Sequence, residues 1–169
     1  MKPYLKFDPS DIINISERYE YRFGDDQVLA LKHEILRRGF LTKADLESVA
    51  YWKAPRTAHH ALKNSDSYVS EVTWFIFLTS DERARIEALN LLDGVSWPTA
   101  SVILHLFHSD PYPILDYRAL WSLSLEQPTQ YSFPFWWGYV EFCRGIAESA
   151  NVDMRTLDKA LWQYSKENQ

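Results

Sequence analysis

The chain has 169 residues, 46% hydrophobic and 15% aromatic, enough to bury a substantial core as one domain or as two closely packed lobes. Its formal net charge of −5 argues against a general attraction to phosphate backbones. The single cysteine, Cys143, excludes a disulfide within the chain and any four-cysteine zinc or iron–sulfur site.

Hydrophobic positions recur at three and four rather than at two, which predicts an all-α fold. Ser10 or Asp11 is placed to cap a first helix through about Arg22, ending near Gly24. Asp25 and Asp26 then open a second that stops at Gly39. Thr42 with Asp45 forms a capping-box pattern for "KADLESVAYWK", a helix that must break before Pro55. A short helical piece from Arg56 to Lys63 follows, then an apolar helix around "SYVSEVTWFIFLT", too short to span a membrane. Ser80 is read as the cap of "DERARIEALNLL", with Asp81 and Glu82 in its first turn and Gly94 past its end.

Ser96 is placed to cap the next helix, with Pro98 in its first turn, where a missing amide hydrogen costs nothing. Ala100, Ile103, Leu104 and Phe107 make its buried stripe. Asp116 reads as the N-cap of "YRALWSLSL", and "PFWWGYVEFCRGIAESA" and "DMRTLDKALWQYSKE" complete about ten helices. Adjacent on one helix, Trp136 and Trp137 point in different directions, so at most one is fully in the core. The opening "MKPYLKFDPSD" lacks the apolar run of a signal peptide, and the chain reads as soluble and cytoplasmic, with no membrane partner.

Three groups of residues invite a chemical reading. From Ser48 to Ser65 there is no acid, while Lys53, Arg56, His59, His60 and Lys63 gather there, either as a basic face or as a solvated helix surface. His105 and His108 stand three apart with Asp110 behind, a spacing that suits a metal but lacks a clear further ligand. Between Asp93 and Asp110 no charged side chain occurs, and this apolar stretch leads through a proline-bracketed loop into Asp116. Its start, "LLDGVS", joins two helices by a tight turn. Such a turn is either an ordinary αα-hairpin or a set of exposed amides ready for a phosphate oxygen. No Ser-His-Asp order, P-loop or dinucleotide-binding glycine pattern is present, so no nucleotide cofactor is expected.

The segment "LLDGVSWPTASVIL", followed by "HSDPYPIL" and "DYRALW", resembles the helix-hairpin-helix superfamily of DNA base-excision glycosylases. That superfamily shows a "LxGVGxxTAxxIL"-like hairpin, a Gly/Pro-containing loop and an aspartate that opens a helix. Asp116 follows Pro98 by eighteen positions, the superfamily's interval between its hairpin lysine position and its aspartate. The match is closest over Leu89 to Leu123, with the hairpin and aspartate segment at 81–124 of a single 169-residue helical domain.

The resemblance implies two helical lobes around a cleft and a DNA partner, a duplex carrying a damaged or modified base. Asp116 is implied as the catalytic carboxylate, stabilising positive charge on the sugar and orienting a water. Its neighbours Ile114 and Leu115 would raise its pKa by desolvation, while the N-terminal end of its helix favours the ionised form. Capping alone remains the other reading of Asp116. Trp52, Lys53, Arg56 and Asn64 are implied on the cleft wall, and Tyr112 and Tyr117 as stacking residues, against a bland reading of core and solvated side chains. Gly94, Ser96 and Thr99 are implied at the DNA backbone, and the carbonyls of Asn90, Leu92 and Val95 as holders of a monovalent cation; no other cofactor is required.

The sequence departs from the pattern at three points: Pro98 replaces the lysine that forms a Schiff base in lyase members, Ser96 replaces the second hairpin glycine, and the loop before Asp116 has no glycine. A monofunctional hydrolase is therefore expected, unless Lys53 reaches in from elsewhere to supply the amine. The rival expectations are a glycosylase-like module that binds DNA without cutting it and a protein-interaction domain.

Overall fold

The computed structural model describes residues 3–21 and 25–169. Among these the secondary structure is helical throughout, with no strand. The helices are α1 (Ile12–Glu17), α2 (Asp26–Leu29), α3 (Lys32–Arg38), α4 (Lys43–Lys53), α5 (Asp66–Leu78), α6 (Glu82–Leu89), α7 (Trp97–Phe107), α8 (Tyr117–Ser122), α9 (Phe133–Ser149) and α10 (Met154–Asn168), with 3₁₀ segments at Pro9–Asp11 and Ala58–Lys63. None is long and apolar enough to cross a membrane.

The described residues form two compact units, one of residues 3–21 and 110–169, the other of residues 25–109. In the first, α10 packs against α1, α8 and α9. Leu157, Ala160 and Leu161 on its inner face are fully buried, as are Ile12, Trp136, Val140 and Cys143 of this unit. In the second, α4 packs on α2, α5, α7 and the 3₁₀ segment Ala58–Lys63, and α6 pairs with α5 and α7. Its core is built from Ile35, Leu41, Leu46, Val49, Ile76, Ile86, Leu89 and the α7 stripe Ala100, Ile103, Leu104 and Phe107, all fully buried.

Local chemistry accounts for most boundaries. Thr42 accepts from the Asp45 amide at 3.2 Å while the Asp45 carboxylate accepts from the Thr42 amide at 2.8 Å, the expected capping box. Gly39 closes α3 in the left-handed region at φ 78°. Several boundaries differ in position or in cap from the sequence reading. Asp11 stands at the N-cap of α1 as expected but makes no side-chain capping bond; the capping oxygen in this stretch is that of Asp8, which accepts from the Ser10 amide at 2.9 Å at the start of the preceding 3₁₀ segment. Helix α1 ends at Glu17; the expected end near Arg22 and Gly24 lies outside the described residues. The helix expected from Asp25 to Gly39 is two, broken where the Leu31 amide turns to the Val28 carbonyl three residues back. Asp81, not Ser80, caps α6 by accepting from the Ala84 amide at 2.7 Å; a carboxylate is the better partner for a helix amino end.

Candidate active-site carboxylate and hairpin

Asp116 occupies the N-cap of α8, and its Oδ1 accepts from the Arg118 amide at 3.0 Å. The side chain is half-buried while its neighbours Ile114, Leu115, Ala119 and Leu120 are buried. The acid therefore sits at the rim of an apolar core. The loop that delivers it is clamped by three side chains from α9 and α10. Arg144 Nε donates to the Pro111 carbonyl at 2.8 Å, Tyr139 donates its hydroxyl proton to the Ile114 carbonyl at 2.7 Å, and the Ile114 amide donates to Asp158 Oδ1 at 3.0 Å. Asp158, itself buried, is held by Arg155 at 2.7 Å. A glycine-free loop can thus be as fixed as a glycine-rich one, because its backbone groups are tied to helices rather than to each other.

Tyr131 is a neighbour that sequence reasoning missed. Burial first, and then the charge of Asp116, push its hydroxyl above the ordinary tyrosine range. Deeper in, burial followed by the charge of neighbouring groups pushes the Tyr139 hydroxyl well above that range, so it stays a proton donor to Ile114. Fifteen positions separate Asp116 from Tyr131, and no helical phase connects them.

The hairpin between α6 and α7 lies in the other unit. Its turn residues Asp93 and Gly94 and the N-cap Ser96 are exposed. Gly94 adopts φ 78°, and a β-carbon there would meet the Ala61 backbone nitrogen at 2.7 Å and the His60 carbonyl carbon at 3.0 Å. The turn is thus pressed onto the 3₁₀ segment. Asn64 locks it: the Asp93 amide donates to Asn64 Oδ1 at 2.9 Å, and Asn64 Nδ2 donates to the carbonyls of Asp93 and Ala61, both at 2.9 Å. Ser96 makes no side-chain capping bond, so the first amides of α7 are not closed off by their N-cap hydroxyl. The carbonyls of Asn90, Leu92 and Val95 lie along this same turn. That of Leu92 already accepts the Val95 amide at 3.0 Å, leaving one lone pair for a cation.

Several implied substrate contacts need correction. Asn64 is only 4% exposed and its amide is committed to the hairpin, so it serves the fold rather than a base edge. Tyr112 is 1% exposed, stacked on Trp136 at 5.8 Å and covered by the Arg144 guanidinium at 4.8 Å, which removes it as a stacking residue. Thr99 is buried, so only its amide could serve a phosphate. Trp52 is 6% exposed and borders a depression of about 290 Å³ shared with Gln27, Val28, Glu47, Ser48 and Tyr51. Lys53 is half-buried, and Arg56 and Tyr117 are exposed. Trp52, Lys53, Arg56 and Asn64 belong to the unit with the hairpin, Tyr112, Asp116 and Tyr117 to the other.

Among the described residues no group of three His, Cys, Asp or Glu side chains is gathered as a metal site. Compared with known protein families, curated proteins and solved structures, the chain matches none.

Proposed function

We propose that the protein is a monofunctional DNA N-glycosylase acting on a damaged or modified base. The observation that carries this reading is the setting of Asp116: a half-buried carboxylate at a helix N-terminus, on a loop clamped at Pro111 and Ile114. A fixed anion of this kind stabilises the positive charge that grows on a deoxyribose as its N-glycosidic bond breaks. The bonding electrons leave with the base, a water adds its oxygen to C1′, and the water's protons pass to Asp116 or solvent and to the departing base. The products are free base and an abasic sugar. Pro98, whose nitrogen is a peptide nitrogen, offers no amine for a Schiff base, so strand cleavage does not accompany base release.

The burial of Tyr112 and Asn64 favours a second reading, a glycosylase-like module that binds DNA without hydrolysis, because two of the implied base-reading side chains are not accessible. One experiment separates the two. Duplexes each carrying one modified base are incubated with the protein and then split into alkali-treated and untreated halves. Hydrolysis gives strand breaks only after alkali, falling at least about 100-fold with Asp116→Asn, a change that preserves the cap. Salt-dependent binding without base release, unchanged in Asp116→Asn, selects the binding module.

A further inference from the structure

One face of α10 carries Arg155, Lys159, Trp162 and Lys166, a spacing of four, three and four that lines them up along about 16 Å of helix. The opposite face supplies the buried Leu157, Ala160 and Leu161. Neighbouring elements extend the basic face with aromatic and cationic groups. Trp162 lies between the Arg118 guanidinium at 5.4 Å and the Lys166 ammonium at 5.5 Å. Tyr19 meets Trp162 edge-on at 5.3 Å and is flanked by Arg155 at 5.1 Å and Lys159 at 5.4 Å. Acids answer these cations as well: Asp158, whose other oxygen holds the Ile114 amide, pairs with Arg155, the exposed Glu20 lies 3.3 Å from Lys166, and the charge of Lys166 also acts on Glu167. The strip starts at Arg118, two residues after Asp116, and lies wholly in the same compact unit.

We propose that this strip is a nucleic-acid binding surface that holds the phosphates of a DNA strand against Arg118, Arg155, Lys159 and Lys166, with Trp162 and Tyr19 under its sugars or bases. The proposal rests on the glycosylase reading only for the choice of DNA. Alternating cations and half-buried rings suit a chain whose charges recur every few ångströms and whose bases offer flat faces. An anionic membrane fits less well, since an extended negative plane would also face the rest of a chain of net charge −5, whereas a strand touches the strip alone. The rings are also packed edge-on against one another rather than projecting as an inserting wedge.

The test is fluorescence anisotropy with a labelled single strand and its duplex across a salt series. The double variant Lys159→Glu/Lys166→Glu is compared with Lys32→Glu/Arg83→Glu, which changes net charge equally in the other unit. The strip variant is expected to raise Kd at least tenfold at low salt. Lys159→Gln/Lys166→Gln should lower the slope of log K against log salt by about 1.4 on the single strand and about 1.8 on the duplex. Equal weakening by the two charge-reversal pairs, no DNA binding by the wild type at low salt, or transfer of the same charge dependence to vesicles of anionic lipid instead of DNA would overturn it. Asp116→Asn is carried in parallel. Charge-specific binding with no base release sinks the enzyme reading and leaves the strip; base release lost with Asp116→Asn but with KM unmoved by the strip variant does the reverse.

Discussion

Gly94 and Asn64 show how much of the hairpin rests on single atoms. A left-handed backbone costs an ordinary residue about 1–2 kcal/mol, and at Gly94 a methyl would also press on the Ala61 nitrogen 2.7 Å away. Gly94→Ala is expected to lose at least about 2 kcal/mol in urea unfolding. Asn64→Ala leaves the Asp93 amide without its partner and should cost about 1–3 kcal/mol. If Asn64→Ala instead weakened DNA binding at unchanged stability, its assignment to the fold would be wrong. At Asp116, Ala removes the cap for about 1 kcal/mol whereas Asn keeps it, so a difference in stability between the two variants isolates the capping role. Gly94 and Asp116 were legible as turn and cap because both depend on immediate neighbours. The use of Asn64 was not: its partner Asp93 stands 29 positions away, and an isolated Asn gives no sign of which backbone it will reach.

At the scale of elements, buried arginine chemistry joins α5 to α6. Arg85 Nε donates to the Ile76 carbonyl at 3.1 Å, another nitrogen reaches the Thr79 carbonyl, and a third pairs with Glu82 at 2.8 Å. These bonds close the end of α5, whose last carbonyls otherwise lack partners. Arg85→Met should destabilise the protein by about 2–4 kcal/mol, read by urea unfolding. The end of α10 is tied to α1 by a pair that titrates. Hydrogen bonding from Arg18 first, then from Gln163, holds the Glu167 carboxyl down at about 2. A depressed acid contributes stability above its unfolded pKa, near the ordinary 4.5, and loses it as pH falls toward 2. In Arg18→Gln the Glu167 midpoint, followed by NMR, should rise from about 2 toward 4.5. The period of three and four placed the buried face of α7 correctly, with Ala100, Ile103, Leu104 and Phe107 all buried as expected. The break between α2 and α3 escaped the same reading, since Val28 and Ile35, seven apart and both buried, keep a helical phase across it.

Over the whole molecule, the lone thiol reports on integrity. Cys143 is fully buried, and burial, reinforced by the charge of Asp158, pushes its pKa far above the ordinary range. It should resist alkylation at neutral pH in the native protein and react on unfolding in urea, so its labelling rate measures opening of the unit around α9. Rapid native labelling would contradict the packing described for Trp136, Val140 and Cys143. Length, helical periodicity, turn glycine and capping residues sufficed to determine from the sequence that the chain is all-α and that Asp116 opens a helix, because these features are set within a few residues by backbone sterics and local hydrogen bonds. Tertiary structure alone decided which side chains remain for chemistry. It buried Tyr112 and Asn64, clamped the loop before Asp116 from α9 and α10, set Tyr131 near that acid, and gathered Tyr19, Arg118 and Trp162. Burial and pairing between residues distant in the chain follow from how helices pack, and packing is a property of the folded whole that no local pattern encodes.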